Sequence, residues 1–382
     1  MTLSLAEQPL QVLGLMSGTS MDGVDASLAR IILTERSFEF EVLDSNTFPF
    51  DPDTKQAIAT GLTGNSEQLA ALHFRLGETY AQVATNFLAG RPVDLVGCHG
   101  QTVAHRDGAF TLQLGSVASL ARALGAPVVS AFREADLAAG GNGAPLMPWL
   151  DWQIWRSREG GIATLNLGGV ANITAIPPGG NREQVIGFDT GPGMGLIDEA
   201  ARLLFDKPLD LDGRYSSKGV VQPALLAELL EHPFIRRKPP KSTGRDEFGA
   251  ELLAAVMERH HLAPADLLRT LVALTAKSVA FAIMEFVKFH KSLNMLITSG
   301  GGIHHPILMN DLRAELPGWQ IADTRETGID PDHKEALLMA ALAVAHVQRL
   351  AGNLPGVTGA REPVVLGHLT PAGPGDGQGK GL

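Results

Sequence analysis

Residues 14–23 read GLMSGTSMDG and run on into Val24 and Asp25, so hydroxyls, glycines and two carboxylates crowd the end of the strand-like run PLQVLGL. Three chemistries compete for such a stretch. A hairpin turn uses Gly, Ser and Asp for backbone freedom and local hydrogen bonds. A Walker-type loop needs a Gly-Lys-Ser/Thr ending, and no Lys lies between Met1 and Lys55, which excludes it. The third is a β-hairpin whose N–H groups and hydroxyls hold phosphates while Asp22 or Asp25 faces a metal or a nucleophile.

Three more glycine-centred segments follow strand-like runs: NLGGVAN with Gly168 and Gly169, FDTGPG after Asp189, and SGGGIH with Gly300, Gly301 and Gly302. Glycine lets backbone approach a ligand closely. The triplet fits either the flat face of an adenine and its ribose or a tight strand-to-helix turn. Asp189 ends an apolar run, where a carboxylate can act as general base or accept N–H bonds from its own turn. His99, Gln101, Thr102 and His105 fit the lining of a polar sugar site. Cys98 reads as a small buried residue, since a thiol nucleophile needs an electropositive setting and an orienting base. His304 and His305 are adjacent, which suits no common metal geometry, and no third ligand stands at usual spacing; no metal site is assigned.

These residues need elements to carry them. Apolar runs at 10–16, 25–33 and 38–49 predict an antiparallel meander, followed by a helix over 66–89 and strands at 93–100 and 127–132. A second meander is expected over 161–177 and 184–193. Helices are then predicted at 194–205, 222–232, 248–261 and 263–289, the last opening with Pro264 in its first turn. A strand over 293–302 and helices over 305–316 and 331–350 complete the pattern. Both halves thus open with a meander containing a Gly/Ser/Thr turn, and two such domains would face a nucleotide with a phosphate hairpin each. That echo favours the phosphate reading of Gly18 to Asp25. The expected division is 1–135, with the helical return over about 331–368, against 136–330. The stretch AAGGNGAPLMP (138–148) is the expected boundary or hinge. The tail 371–382, with Gly at alternate positions, is expected to be disordered.

A chain of 382 residues with 45% hydrophobic content suits two domains. Its formal charge of −10 argues against a nucleic-acid partner. The basic cluster Arg236, Arg237, Lys238 and Lys241 is broken by Pro239 and Pro240, and reads as a solvated loop or an anion contact. One cysteine permits no internal disulfide, in keeping with a reducing compartment. No signal peptide and no charge-free apolar run of membrane-spanning length is apparent, and Lys277 and Glu285 interrupt the long helix. The expectation is a soluble, cytoplasmic protein.

The assembled segments resemble the 1,6-anhydro-N-acetylmuramic acid kinases, of the sugar kinase, heat-shock chaperone and actin superfamily. They include GLMSGTSMDGVD (14–25), CHGQTVAH (98–105), FREADLAAGGNGAPLMP (132–148), LNLGGVANIT (165–174), GFDTGPG (187–193), PPKSTGR (239–245), SGGGIHHP (299–306) and GIDPDHKEA (328–336), in family order. The resemblance implies an α/β protein of two actin-like, ribonuclease H-like domains whose mixed sheets flank a nucleotide cleft; closure of the lobes, with hinging near 138–148 and 324–330, is a further expectation. It implies ATP and Mg²⁺, a homodimer, and conversion of the anhydro sugar with water to N-acetylmuramic acid 6-phosphate in murein recycling. It places Gly18, Thr19, Ser20, Met21, Asp22, Gly23, Val24 and Asp25 at the ATP phosphates, and Asp189 as the base that activates water. His99, Gln101, Thr102, Arg133, Arg245 and Glu335 would contact the sugar, with Arg133, Arg245 and His105 as candidate partners of its lactyl carboxylate. The family commonly carries Asn where this chain has His305, a departure that bears on nucleotide contact.

Overall fold

The computed structural model describes residues 8–18, 23–61, 64–244 and 247–372. Thr19, Ser20, Met21, Asp22, Arg245 and the tail from residue 373 therefore lie outside the described residues. The chain forms two compact units, Met1–Ile154 with Gly328–Leu382, and Trp155–Thr327.

In the first unit, β1 (Leu10–Ser17), β2 (Gly23–Leu33) and β3 (Phe38–Pro49) form the predicted meander, and β4 (Leu95–Arg106) and β6 (Val128–Ser130) extend it in parallel from β1. β5 (Phe110–Leu114) folds back on β4, and β12 (His368–Thr370) closes the other edge beside β6. The helix α1 (Pro52–Gly61) was not anticipated from the sequence; α2 (Ser66–Leu88) was, and it starts at Asn65, whose side chain and that of Gln68 cap each other's backbone N–H. These helices and α3 (Val117–Leu124) bury Leu13, Leu15, Leu28, Leu76 and Tyr80 on one face of the sheet. Because β1 is covered on both faces it reads as an unbroken apolar run from Val12 to Met16, whereas the edge strand β3 alternates.

The opposite face carries α12 (Lys334–Val347), packed on β1, β2 and β4. The approach is so close that a Cβ built on Gly14 would stand 1.8 Å from the Ala336 carbonyl oxygen, and one on Gly97 2.0 Å from that of Met339. Glycine is required there for clearance alone.

The second unit repeats the strand order. Strands β7 (Gly161–Leu167), β8 (Val170–Ile176) and β9 (Ile186–Pro192) form the second meander, and β10 (Leu293–Ser299) and β11 (Gln320–Asp323) add in parallel beside β7. The first sheet runs β3-β2-β1-β4-β6, with β5 and β12 as additions, and the second β9-β8-β7-β10-β11; each is an antiparallel meander continued by two parallel strands, which is the ribonuclease H-like arrangement expected. α6 (Gly195–Phe205), α7 (Pro223–Leu230), α8 (Pro233–Arg236) and α9 (Ala250–Arg259) follow β9. The helix α10 (Pro264–Phe286) has Pro264 in its first turn and is long and apolar enough to cross a membrane, but 78% of its most apolar window is buried inside this unit. Its Lys277 pairs with Glu315 of α11 (Pro306–Glu315) at 2.7 Å, and Arg269 grips Asp311 through two 2.7 Å bonds.

The first expected boundary is corrected. The chain leaves the first unit after Ile154, at the end of α5 (Met147–Trp155), not at residue 135, and the stretch 138–148 lies wholly inside that unit. The reason is Asp136, fully buried, which accepts from the Gly143 N–H at 2.8 Å, Asn353 Nδ2 at 2.7 Å and Thr358 Oγ1 at 2.6 Å. A carboxylate answered by three donors ties the glycine-rich turn down, and a hinge is the wrong description for it. The return crossing falls between Thr327 and Gly328.

Candidate active site

The last residues of β1 are braced by β4. Ser17 Oγ donates to Gln101 Oε1 at 2.5 Å, and Gln101 Nε2 donates to the carbonyls of Gly18 at 3.2 Å and Thr102 at 3.3 Å. Gln101 is 1% exposed, so its whole amide is spent holding the entry to the 18–25 hairpin. Thr102 Oγ1 accepts from Gln113.

Beyond the hairpin, Gly23, Val24 and Asp25 open β2, and Asp25 stands opposite Thr47 of β3. Thr47 Oγ1 lies 2.6 Å from Asp25 Oδ1 and 3.1 Å from His333 Nε2. An ionised carboxylate only accepts, so Thr47 donates to Asp25 and receives from the His333 Nε2–H. His333 Nδ1 in turn faces Asp330 at 3.4 Å. Thr47 and His333 escaped the sequence reading, although His333 stands within the quoted GIDPDHKEA.

His99, Arg133 and Glu335 are brought together within the same unit, with Asp25 acting on Glu335. His99 Nδ1 is 2.8 Å from the Gly100 carbonyl and must donate to it, so Nε2 is the acceptor of the 3.0 Å bond from Arg133 Nε. Burial, with the Arg133 charge, pushes the His99 imidazole down to about 3, leaving a neutral ring that orients a cation. Arg133 Nη1 also donates to the Gly143 carbonyl at 3.2 Å. Burial pulls the guanidinium below its ordinary value, against the attraction of Glu335 and Asp107. The Glu335 carboxyl is raised, first by burial and then by the negative charge of Asp25, while Arg133 and Lys334 oppose the rise. Lys334 itself is buried against Asp151, an ion pair that pins the start of α12 and that the sequence did not announce. His105 turns to Thr111 and Asp107, at 3.1 and 3.2 Å.

In the second unit the Gly168-Gly169 turn receives the segment after β9. The N–H groups of Gly193 and Gly195 bond the Gly169 carbonyl at 3.1 and 3.0 Å, and that of Met194 bonds Gly168 at 2.8 Å. Asp189, partly exposed on β9, donates its N–H to the Lys241 carbonyl at 3.1 Å and accepts the Thr243 N–H on Oδ2 at 2.9 Å. These two partners, Lys241 and Thr243, lie outside its own turn, so the carboxylate is oriented in part from outside.

The glycine triplet divides by role. Gly300 has φ +81°, and a Cβ there would lie 2.6 Å from Asn166 Oδ1; one on Gly302 would lie 2.6 Å from Leu167 Cβ. Gly301 is exposed with open space where a Cβ would stand. A cavity of about 300 Å³ opens beside it, lined by Thr298, Ile303, His304, Met309, Arg313 and Asp323 among others. The departure at His305 has a structural explanation. Its Nδ1 accepts the Leu308 N–H at 3.2 Å, capping α11, and its Nε2–H faces Asp210 Oδ2 at 3.2 Å. Asn caps helices by the same acceptor role. With 3% exposure, His305 bears on the loop's geometry through the cap.

The anhydro-N-acetylmuramic acid kinase family model matches residues 10–372. This chain belongs to that family. It is 41% identical to the anhydro-N-acetylmuramic acid kinase of Salinibacter ruber over 95% of this chain and 96% of that one. It is 35% identical to the enzyme of that name from Caldanaerobacter subterraneus subsp. tengcongensis, over 94% and 96%. The corresponding figures for that of Francisella tularensis subsp. novicida are 34%, 93% and 97%. The protein is accordingly a sugar kinase of cell-wall recycling, a phosphotransferase that uses ATP. Among the described residues, no group of three or more His, Cys, Asp and Glu side chains could hold a metal.

Proposed function

We propose that the protein opens 1,6-anhydro-N-acetylmuramic acid with water and phosphorylates the freed O6 from ATP, yielding N-acetylmuramic acid 6-phosphate and ADP, with Asp189 as general base. The observation that carries this reading is the Asp189 carboxylate, held through Oδ2 by the Thr243 N–H and partly exposed on its strand. A base must be oriented before it can take a proton in the transition state. Asp189 takes the proton of a water whose oxygen attacks C1; the C1–O6 bond breaks, and O6 attacks the γ-phosphorus as ADP leaves. Joining both steps in one complex gives O6 the advantage of proximity.

The phosphates belong to the Gly18–Asp25 hairpin, whose entry Gln101 and Ser17 brace. Gly168, Gly169 and the triplet are assigned to the nucleotide as well, Gly301 because open space stands where its Cβ would be. Arg133, aimed by neutral His99, is the cation for the lactyl carboxylate; Thr102 and Glu335 complete the sugar contacts. Mg²⁺ would stand beside Asp25, with nucleotide oxygens supplying most of its shell. It would neutralise phosphate charge. The protein acts in the cytoplasm as a homodimer.

Turnover in oxygen-18 water tests the reaction. Label is expected at the C1 hydroxyl of product read promptly by mass spectrometry, with a control for anomeric exchange. Label in the transferred phosphoryl group would mean that water attacks phosphorus and would overturn the scheme.

A further inference from the structure

Asp189 is oriented by a segment 52 to 54 positions further along the chain, and that segment must itself be fixed. Its Lys241 turns inward to 6% exposure. The amine donates to the carbonyls of Phe234 at 3.0 Å and Ile235 at 3.1 Å, both in α8. It sits 4.7, 5.0 and 5.7 Å from the ring centres of Phe234, Phe286 and Phe188. Phe188 is the residue before Asp189, so the base and its support share one aromatic enclosure. From the open side, Thr243 Oγ1 donates to Glu247 at 2.7 Å, and Glu247 pairs with Arg237 at 3.3 Å.

A lysine on a connecting segment ordinarily keeps its ammonium in water, because burying it is unfavourable. Burial, with Arg237 nearby, brings this amine down to about 8, against the pull of Asp189 and Glu247. Something must be gained from such a placement, and what it fixes is the path of residues 241–243.

We propose that Lys241 is the positioning residue for the base: bound to two carbonyls inside the aromatic enclosure, it fixes the segment whose backbone holds Asp189 at N–H and at Oδ2. The inference rests on Asp189 acting as the base. Lys241 touches neither sugar nor nucleotide in this role.

The test is steady-state turnover of anhydro-N-acetylmuramic acid with ATP by Lys241→Met, which keeps the bulk and loses the donor, and by Lys241→Arg, which keeps donor and charge. Hydrogen exchange of the peptide containing Thr243 is read in parallel. A misplacement of the base on the scale of an ångström costs up to about 100-fold, so kcat of Lys241→Met is expected to fall by roughly 10- to 100-fold with both KM values held. The Thr243 amide should exchange faster, and Lys241→Arg should recover part of both effects. Wild-type kcat with a protected amide overturns the proposal; so does a loss in which both KM values rise together with lowered melting. Should Lys241→Met fail to fold, Lys241→Gln is judged by the same readouts. Asp189→Asn run alongside separates the two ideas. An active Asp189→Asn removes the base and this inference with it, whereas an inactive one beside a normal Lys241→Met removes Lys241 alone.

Discussion

A carboxylate changed to an amide keeps its shape and loses its basicity, which makes Asp189→Asn the sharpest single test of the reaction. We expect turnover to drop by about 10²–10⁴, the usual share of a general base, with melting unchanged; full activity would remove Asp189 from the mechanism. Gly301 offers a different kind of probe. Since a Cβ added there meets no described atom within 4 Å, Gly301→Val should leave melting and sugar affinity alone and weaken an ATP analogue in calorimetric titration. An unchanged dissociation constant would leave the triplet as turn geometry only. Asp189 was legible because an apolar strand ended in Asp-Thr-Gly. Its orientation was not, because Lys241 and Thr243 reach it from a distant loop and nothing in local spacing marks the pairing. Gln101 was legible as a polar residue near the site, but its work as a brace depends on β1 and β4 being parallel neighbours.

Elements place these groups, and small contacts place the elements. α12 carries Glu335 in its first turn and rests on Gly14 and Gly97 with no room for a methyl group. Gly97→Ala should force helix from sheet, costing about 1–3 kcal/mol as overpacking does and lowering kcat as Glu335 moves; denaturant unfolding beside turnover checks both. At α11, His305→Ala should lose a cap worth about 1 kcal/mol, and more through the stranded Asp210, while His305→Asn restores the cap, as read by urea midpoints. Burial would raise Asp210, but hydrogen bonds from His305, Ser216 and Tyr215 hold it low, so losing one leaves a costly buried charge. The meanders and most helices could be read from apolar period. The glycine-rich stretch 138–148 could not, since Asn353 and Thr358, which immobilise it through Asp136, lie more than 200 residues away.

Across the whole molecule, the repeated strand order was visible in the sequence as two like openings, and pH dependence is where a local group reports on global stability. Lys241 has its folded value near 8 against an ordinary 10.5, so between those values the unfolded chain binds the proton more tightly. Its contribution to stability therefore improves as pH rises from about 8 to 10.5 and is least favourable below 8. The stability of the wild type relative to Lys241→Met should shift in the wild type's favour across that window, measured by chemical denaturation; a flat difference would refute the sign. Cys98 adds a last consequence. It is the chain's one cysteine, 1% exposed in the core of the first unit, and burial pushes its thiol up to about 12. Alkylating reagents act on the thiolate, so the folded protein should be nearly inert to them and each modification should mark an excursion in which that core came apart. The residue is thus a built-in clock: iodoacetamide uptake, followed by intact mass, times the opening of one half of the enzyme without an added label, and any ligand that tightens that half should slow it.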